Sequence, residues 1–227
     1  MGSTVSVPKV TSKLLNVPLR GNLKRTSSST IMFRSASSVW KIEVLCRGPI
    51  VFHNGSSAKS PVLLTIDSIR CSPFEVVLPA FPKLNRPRKI EVISWKGKSF
   101  GSDTYSFTLS VGGAFTRFEW RATSGREVRS TGSASGWKLV KLGAATQKQS
   151  KPVKNLRTTG LSSDGGEIVA VYGGRKKDRE FQLYGTGSKL GPVFTLMALA
   201  SAVSLEIHQQ KLRDDKHADM VNRINDF

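Results

Sequence analysis

Cysteine is nearly absent. The 227 residues hold two, Cys46 and Cys71, and three scattered histidines, His53, His208 and His217. Two thiols cannot build a disulfide framework, and neither they nor the histidines fall at the spacing of a zinc site. They fit a reducing compartment, so a cytoplasmic protein is expected. No Ser-His-Asp or Cys-His order suggests nucleophilic catalysis. Acidic residues are scarce too: 16 against 35 Lys and Arg, for a formal net charge of +19. They occur singly apart from Asp214-Asp215, which reads as a solvated helix end. Nothing here points to an enzyme, and neither a metal nor a cofactor is expected. The charge predicts attraction to polyanions, either an anionic membrane surface or nucleic acid.

Residues 1–38 contain no Asp or Glu. They are rich in Ser and Thr, with Lys9, Lys13, Arg20, Lys24, Arg25 and Arg34 as cations and Pro8 and Pro18 as breakers. Low hydrophobicity with charge of one sign does not offset the entropy of ordering, so a disordered basic tail is expected over 1–38. Met1-Gly2-Ser-Thr-Val-Ser6 matches the acylation pattern that makes Gly2 a candidate for myristoylation. One acyl chain binds membranes only marginally and needs a basic patch beside it. Lys24-Arg25-Thr26-Ser27-Ser28-Ser29 resembles a basophilic kinase site. Phosphate on Ser27 or Ser28 would subtract charge beside the basic cluster and weaken membrane attachment. The same composition fits a mitochondrial transit peptide, so that address stays open.

From Val39 onward, short runs of strand composition alternate with turn residues. The runs are Val39–Cys46, Val62–Arg70, Phe74–Ala80, Lys89–Trp95, Thr104–Val111, Ala114–Arg121, Trp137–Leu142, Glu167–Tyr172 and Arg179–Tyr184. Tyr105, Phe107, Leu109 and Val111 alternate with Ser106, Thr108 and Ser110, the pattern of a strand with one buried and one wet face. Gly112-Gly113 then predicts a two-residue hairpin. Many short strands with polar turns predict an antiparallel sandwich or barrel.

Against this background Leu190–Leu205 carries no charge. Its Ala, Leu and Met favour helix, and Pro192 suits a first helical position. The fifteen residues from Gly191 reach about 22 Å at 1.5 Å per residue, short of the ~30 Å of membrane hydrocarbon. A helix lying in the interface should show one strongly polar face, and this one shows none before Glu206. A helix apolar all round must be buried all round, and a β-barrel wide enough to hold it supplies that jacket. The expected fold is therefore mainly β: an antiparallel barrel over 39–213 enclosing a C-terminal apolar helix at about 191–212, with a polar extension over 214–227.

Phe115-Thr-Arg-Phe-Glu-Trp-Arg121, Gly136-Trp-Lys-Leu-Val-Lys-Leu142, Glu167-Ile-Val-Ala-Val-Tyr172 and Phe181-Gln-Leu-Tyr184 lead in that order into the helix. This order resembles the Tubby C-terminal-like superfamily, which also includes the phospholipid scramblases and the LURP-one-related proteins. The resemblance covers roughly Val39 to Lys211 and implies a barrel threaded by its last helix. The residues of the Tubby phosphoinositide pocket do not map onto particular positions here. The acidic segment and the Pro- and Cys-rich region of the scramblases are missing. Fold alone does not establish function.

Gly185-Thr-Gly-Ser-Lys-Leu-Gly191 invites a phosphate-loop reading. Its spacing fits neither phosphate-binding pattern, and no second strand follows the helix, so a turn with a helix start is expected. The remaining candidate anion- or lipid-binding group is the dense set Lys83, Arg86, Arg88, Lys89, Lys96 and Lys98. The expected role is non-enzymatic: peripheral binding of anionic or phosphoinositide membranes. A nucleic-acid-associated basic protein is the first alternative, and a scramblase-like lipid transporter the second.

Overall fold

The computed structural model describes residues 20–45, 48–67, 73–80, 87–97, 103–143, 160–175 and 178–225. Twelve strands form a closed barrel in which each neighbour in sequence is a neighbour in space. They are β1 (Arg20–Ser27), β2 (Thr30–Arg34), β3 (Val39–Val44), β4 (Ile50–His53), β5 (Val62–Asp67), β6 (Phe74–Leu78), β7 (Lys89–Lys96), β8 (Thr104–Val111), β9 (Ala114–Thr123), β10 (Gly136–Leu142), β11 (Glu167–Arg175) and β12 (Asp178–Leu183). The short helix α1 (Arg126–Arg129) sits between β9 and β10, and the long helix α2 (Pro192–Asn225) ends the described chain. Pairing of β1 with β12, from Arg20↔Gln182 to Lys24↔Asp178, closes the ring.

Each of the nine runs expected as strands holds a strand within its described residues; Cys46 and residues 68–70 lie outside them. In β8 the alternation holds: Tyr105, Phe107 and Leu109 are buried, and Ser106, Thr108 and Ser110 face outward. Gly112 and Gly113 take φ of +58° and +83°. That left-handed pair is the type I′ turn whose twist matches the flanking strands.

The expected tail boundary at residue 38 is wrong. Arg20–Ser27 and Thr30–Arg34 are the first two strands of the barrel. Their low average hydrophobicity misled because six of the eight residues of β1 are exposed and the apolar run of β2 is only three residues long. Gly21, Leu23, Ile31 and Phe33 point inward and are buried. A Cβ on residue 21 would overlap the Phe33 ring. The other missed strand, β4, has only four residues.

Every residue of α2 from Phe194 to Leu205 is at most 3% exposed. That stretch makes more than three turns, so the helix is covered on all sides and runs inside the barrel. Phe194 packs on Phe118 with ring centroids 4.9 Å apart. No helix among the described residues is long and apolar enough to cross a membrane. The helix does not stop near 212. It continues unbroken to Asn225, exposed from Arg213 onward where side chains are described.

Because the strands alternate in direction, connections after even-numbered strands share one end with the start of α2, here the lower rim. Connections after odd-numbered strands lie at the upper rim, where α2 emerges. At the lower rim Gly185–Lys189 forms a 3-10 turn. Gly187 is buried there, and a Cβ on it would overlap the Val169 carbonyl oxygen. The Gly187 amide donates to Tyr184 O at 2.9 Å. The glycines of this segment thus serve close packing and a helix start.

Candidate functional site

The six cations grouped in the sequence do not form one patch. Arg88 precedes β7 and Lys89 opens it at the lower rim, whereas Lys96 ends the same strand at the upper rim. Seven residues of extended chain, roughly 23 Å, separate Lys89 from Lys96. Lys83, Arg86 and Lys98 lie outside the described residues, as do Gly2, Cys46 and Cys71. The Nζ of Lys89 is 2.7 Å from Oε1 of Glu91, an inward-facing carboxylate only 8% exposed.

Ser27 and Ser28 belong to the ordered β1–β2 corner at the upper rim. The Ser27 and Ser29 hydroxyls are 3.4 Å apart, and Arg25 Nη1 donates to Ser28 O at 3.3 Å. They do not lie beside Arg88 and Lys89.

The two rims differ in how their charges are matched. Toward the lower rim and along the wall, the carboxylates are taken. Glu91 pairs with Lys89, Glu167 with Lys141 at 3.8 Å, Glu180 with Arg20, and Glu43 with Lys41 at 2.8 Å. The exposed cations Arg34, Lys59, Arg88 and Lys189 stand at this rim without a carboxylate partner among the described residues. The carboxylates without a cation partner among the described residues are at the other end: Asp67, Glu75, Asp103 and Asp178, then Asp214, Asp215 and Asp219 on the emerging helix. There they interleave with Lys24, Arg25, Lys96, Arg126, Arg129 and Arg175. Unmatched positive charge is therefore purest at the lower rim. Beside Arg88 the outer wall also carries exposed apolar side chains, Ile90, Val92 and Phe115.

A cleft of about 350 Å³ opens on the outer wall between β9, β10, α1 and the 161–163 segment, lined by Arg121, Thr123, Glu127, Lys138 and Ser162 among others. Its charges satisfy one another. Arg121 donates to Glu119 Oε1 at 2.7 Å and to Asp164 Oδ2 at 2.6 Å, and Lys138 Nζ lies 3.2 Å from Glu127 Oε1. Burial works against the Asp164 charge, but the Ser162 hydroxyl and the Arg121 guanidinium outweigh it and hold the carboxyl down at about 2. The cleft binds a loop to the wall, and among the described residues that line it no cation is left over for a ligand.

Sequence reasoning missed the polar network at the upper mouth. The Tyr105 hydroxyl and His208 Nδ1 are 2.8 Å apart, and Gln209 Nε2 donates to Tyr105 Oη at 3.0 Å and to Asp103 Oδ2 at 2.7 Å. With Oη accepting from Gln209, its proton goes to His208. The imidazole lies edge-on to Trp95, 4.7 Å between centroids, and to Phe74 at 5.4 Å. Burial is the largest influence on it and pushes its pKa down; Lys211 adds to this, and Asp103 and Asp215 oppose it. Burial likewise pushes the Tyr105 phenol well up. The one available signal was Tyr105 sitting on the buried face of its strand. Its partners lie more than 100 residues away in sequence.

Among the described residues no group of three or more His, Cys, Asp or Glu could hold a metal ion. No family model, no curated protein and no solved structure matches the chain.

Proposed function

We propose that this protein is a non-enzymatic binding module, Tubby-like in architecture, that docks peripherally on anionic or phosphoinositide membranes with its lower rim. The observation that carries this reading is the segregation of charge. Among the described residues, Arg34, Lys59, Arg88 and Lys189 have no carboxylate partner, while the carboxylates without a cation partner gather at the opposite end. A basic residue held near an anionic bilayer contributes about 1 kcal/mol, and the attraction fades within a Debye length. Cations collected on one rim therefore act together and orient the barrel. The apolar part of α2 is occupied as core, so transport through a spanning helix has no element to rest on.

Co-sedimentation tests the reading. Vesicles of phosphatidylcholine mixed with phosphatidylserine, or with a phosphoinositide, should pellet the protein, and phosphatidylcholine alone should not. The Arg88→Glu/Lys189→Glu variant should lose about tenfold or more in vesicle affinity, on the basis of about 1 kcal/mol per cation. Lys96→Glu at the far rim should lose little. Equal pelleting with neutral and anionic vesicles would overturn the reading. An oligonucleotide bound more tightly than the vesicles at the same salt would move it to nucleic acid.

A further inference from the structure

We propose that Phe115, with Ile90 and Val92 beside it, is the part of the lower rim that enters the bilayer, between flanking cations that hold lipid headgroups. This deepens the membrane-docking reading above and rests on it.

Phe115 breaks the polar pattern of the outer wall. The outward positions of β8 are Ser106, Thr108 and Ser110, and those of β9 beyond its start are Arg117, Glu119 and Arg121. All are polar, as a wall facing water requires. Phe115 takes an outward position on the same wall and is 79% exposed. On β7 the outward residues Ile90 and Val92 are 55% and 42% exposed. A single exposed apolar residue needs no explanation. Three on β7 and β9, either side of β8 at one rim, do.

The register brings them together. Phe115 pairs with Ser110 across the β8–β9 ladder. The β7–β8 ladder pairs Ile93 with Phe107, and continuing that register three residues sets Ile90 level with Ser110. Two strand spacings, roughly 10 Å, then separate Ile90 from Phe115, with only a serine between. Val77, half-buried, extends the row because it pairs with Ile90. The tip beyond Phe115 is bare: a Cβ on Gly112 or Gly113 would meet nothing within 4 Å.

Cations frame the row. Arg88, without a carboxylate partner among the described residues, directly precedes Ile90 on β7, while Lys89 turns inward to Glu91. Arg117, with 59% of its side chain exposed and its guanidinium 3.8 Å from Glu119, follows Phe115 on the same face. An apolar centre bordered by Arg88 and the largely exposed Arg117, at a rim without a free carboxylate among the described residues, complements a surface with an anionic skin over an apolar interior. An anionic bilayer has that layering: buried apolar area and headgroup attraction add. The apolar groove of a partner protein would match the centre and leave the cations unanswered.

The experiment uses the full chain with Phe115→Trp and vesicles of phosphatidylcholine and phosphatidylserine, with and without bromine on the acyl chains. The native tryptophans give a constant background that the parent protein measures. The new indole should shift to the blue and be quenched by the brominated chains. Phe115→Ser should weaken vesicle partition about tenfold, with thermal unfolding unchanged because the side chain is exposed. If the parent pellets with anionic vesicles, but Phe115→Ser pellets equally well and the indole is not quenched, the insertion is wrong and the membrane reading stands. If the parent ignores anionic vesicles, both fall. If the parent is a dimer that Phe115→Ser converts to monomer, the row is a contact between copies and the proposal is overturned.

Discussion

The indole Nε1–H of Trp120 on β9 donates to the hydroxyl oxygen of Ser201 on α2 at 2.8 Å, with both residues fully buried. The same hydroxyl donates to the Ala198 carbonyl at 2.8 Å. This polar bond joins wall and plug inside the core, as Tyr105 and His208 do at the upper mouth.

Ser201→Ala should destabilise the fold by about 1–3 kcal/mol, because it leaves a buried indole N–H without a partner. Each kcal/mol should lower Tm by about 2–4 °C in a chain of this size. Trp120→Phe should be partly non-additive with it, since both remove the same bond. Denaturant titration of the two single variants and the double variant measures the coupling; fully additive losses would refute the bond.

Ala198→Asp and Leu199→Lys place a charge at positions that are 0% and 1% exposed, inside the core cluster. An unpaired buried charge costs several kcal/mol, on the scale of a domain's whole stability. Neither variant should give a cooperatively folded barrel, as read by near-ultraviolet circular dichroism and melting. A folded, soluble Leu199→Lys protein would show that α2 does not plug the barrel.

Stability should fall on acidification through His208. Its folded pKa lies below the ordinary value of 6.5, first because of burial. As pH drops through about 6.5 the unfolded chain takes up a proton that the folded chain refuses. The penalty grows until the folded pKa is reached and is absent well above 6.5. His208→Gln, which keeps an acceptor for the Tyr105 hydroxyl, should flatten the difference between urea midpoints at about pH 7.5 and about pH 5.5. An unchanged difference would remove His208 as the cause.

The weakening by phosphate expected from the kinase-like sequence loses its basis in the structure. Ser27 and Ser28 sit in a hydrogen-bonded corner at the upper rim, across the length of the barrel from Arg88 and Lys189. Screening confines a surface charge to about 10 Å at ordinary salt. The Ser27→Asp/Ser28→Asp variant should therefore bind anionic vesicles like the parent. A clear loss would bring the docking surface back to the upper rim.

The chain's own chemistry determined the barrel and its plug. The two-residue period of Tyr105–Val111, the Gly112-Gly113 turn and the chargeless run to Leu205 are local signals, and each acts within a few residues. β1 and β2 were illegible for the same local reason: Leu23, Ile31 and Phe33 are too few among serines and cations to look like core until ten other strands and a helix cover them. The candidate site was legible only as charge. Local density grouped Lys89 with Lys96, and strand length put them at opposite rims. Which cations go unanswered, and that Phe115 stands level with Ile90, depend on register between strands and on where each carboxylate finds a partner. Those are relations between distant segments, which only ring closure and the docking of α2 decide.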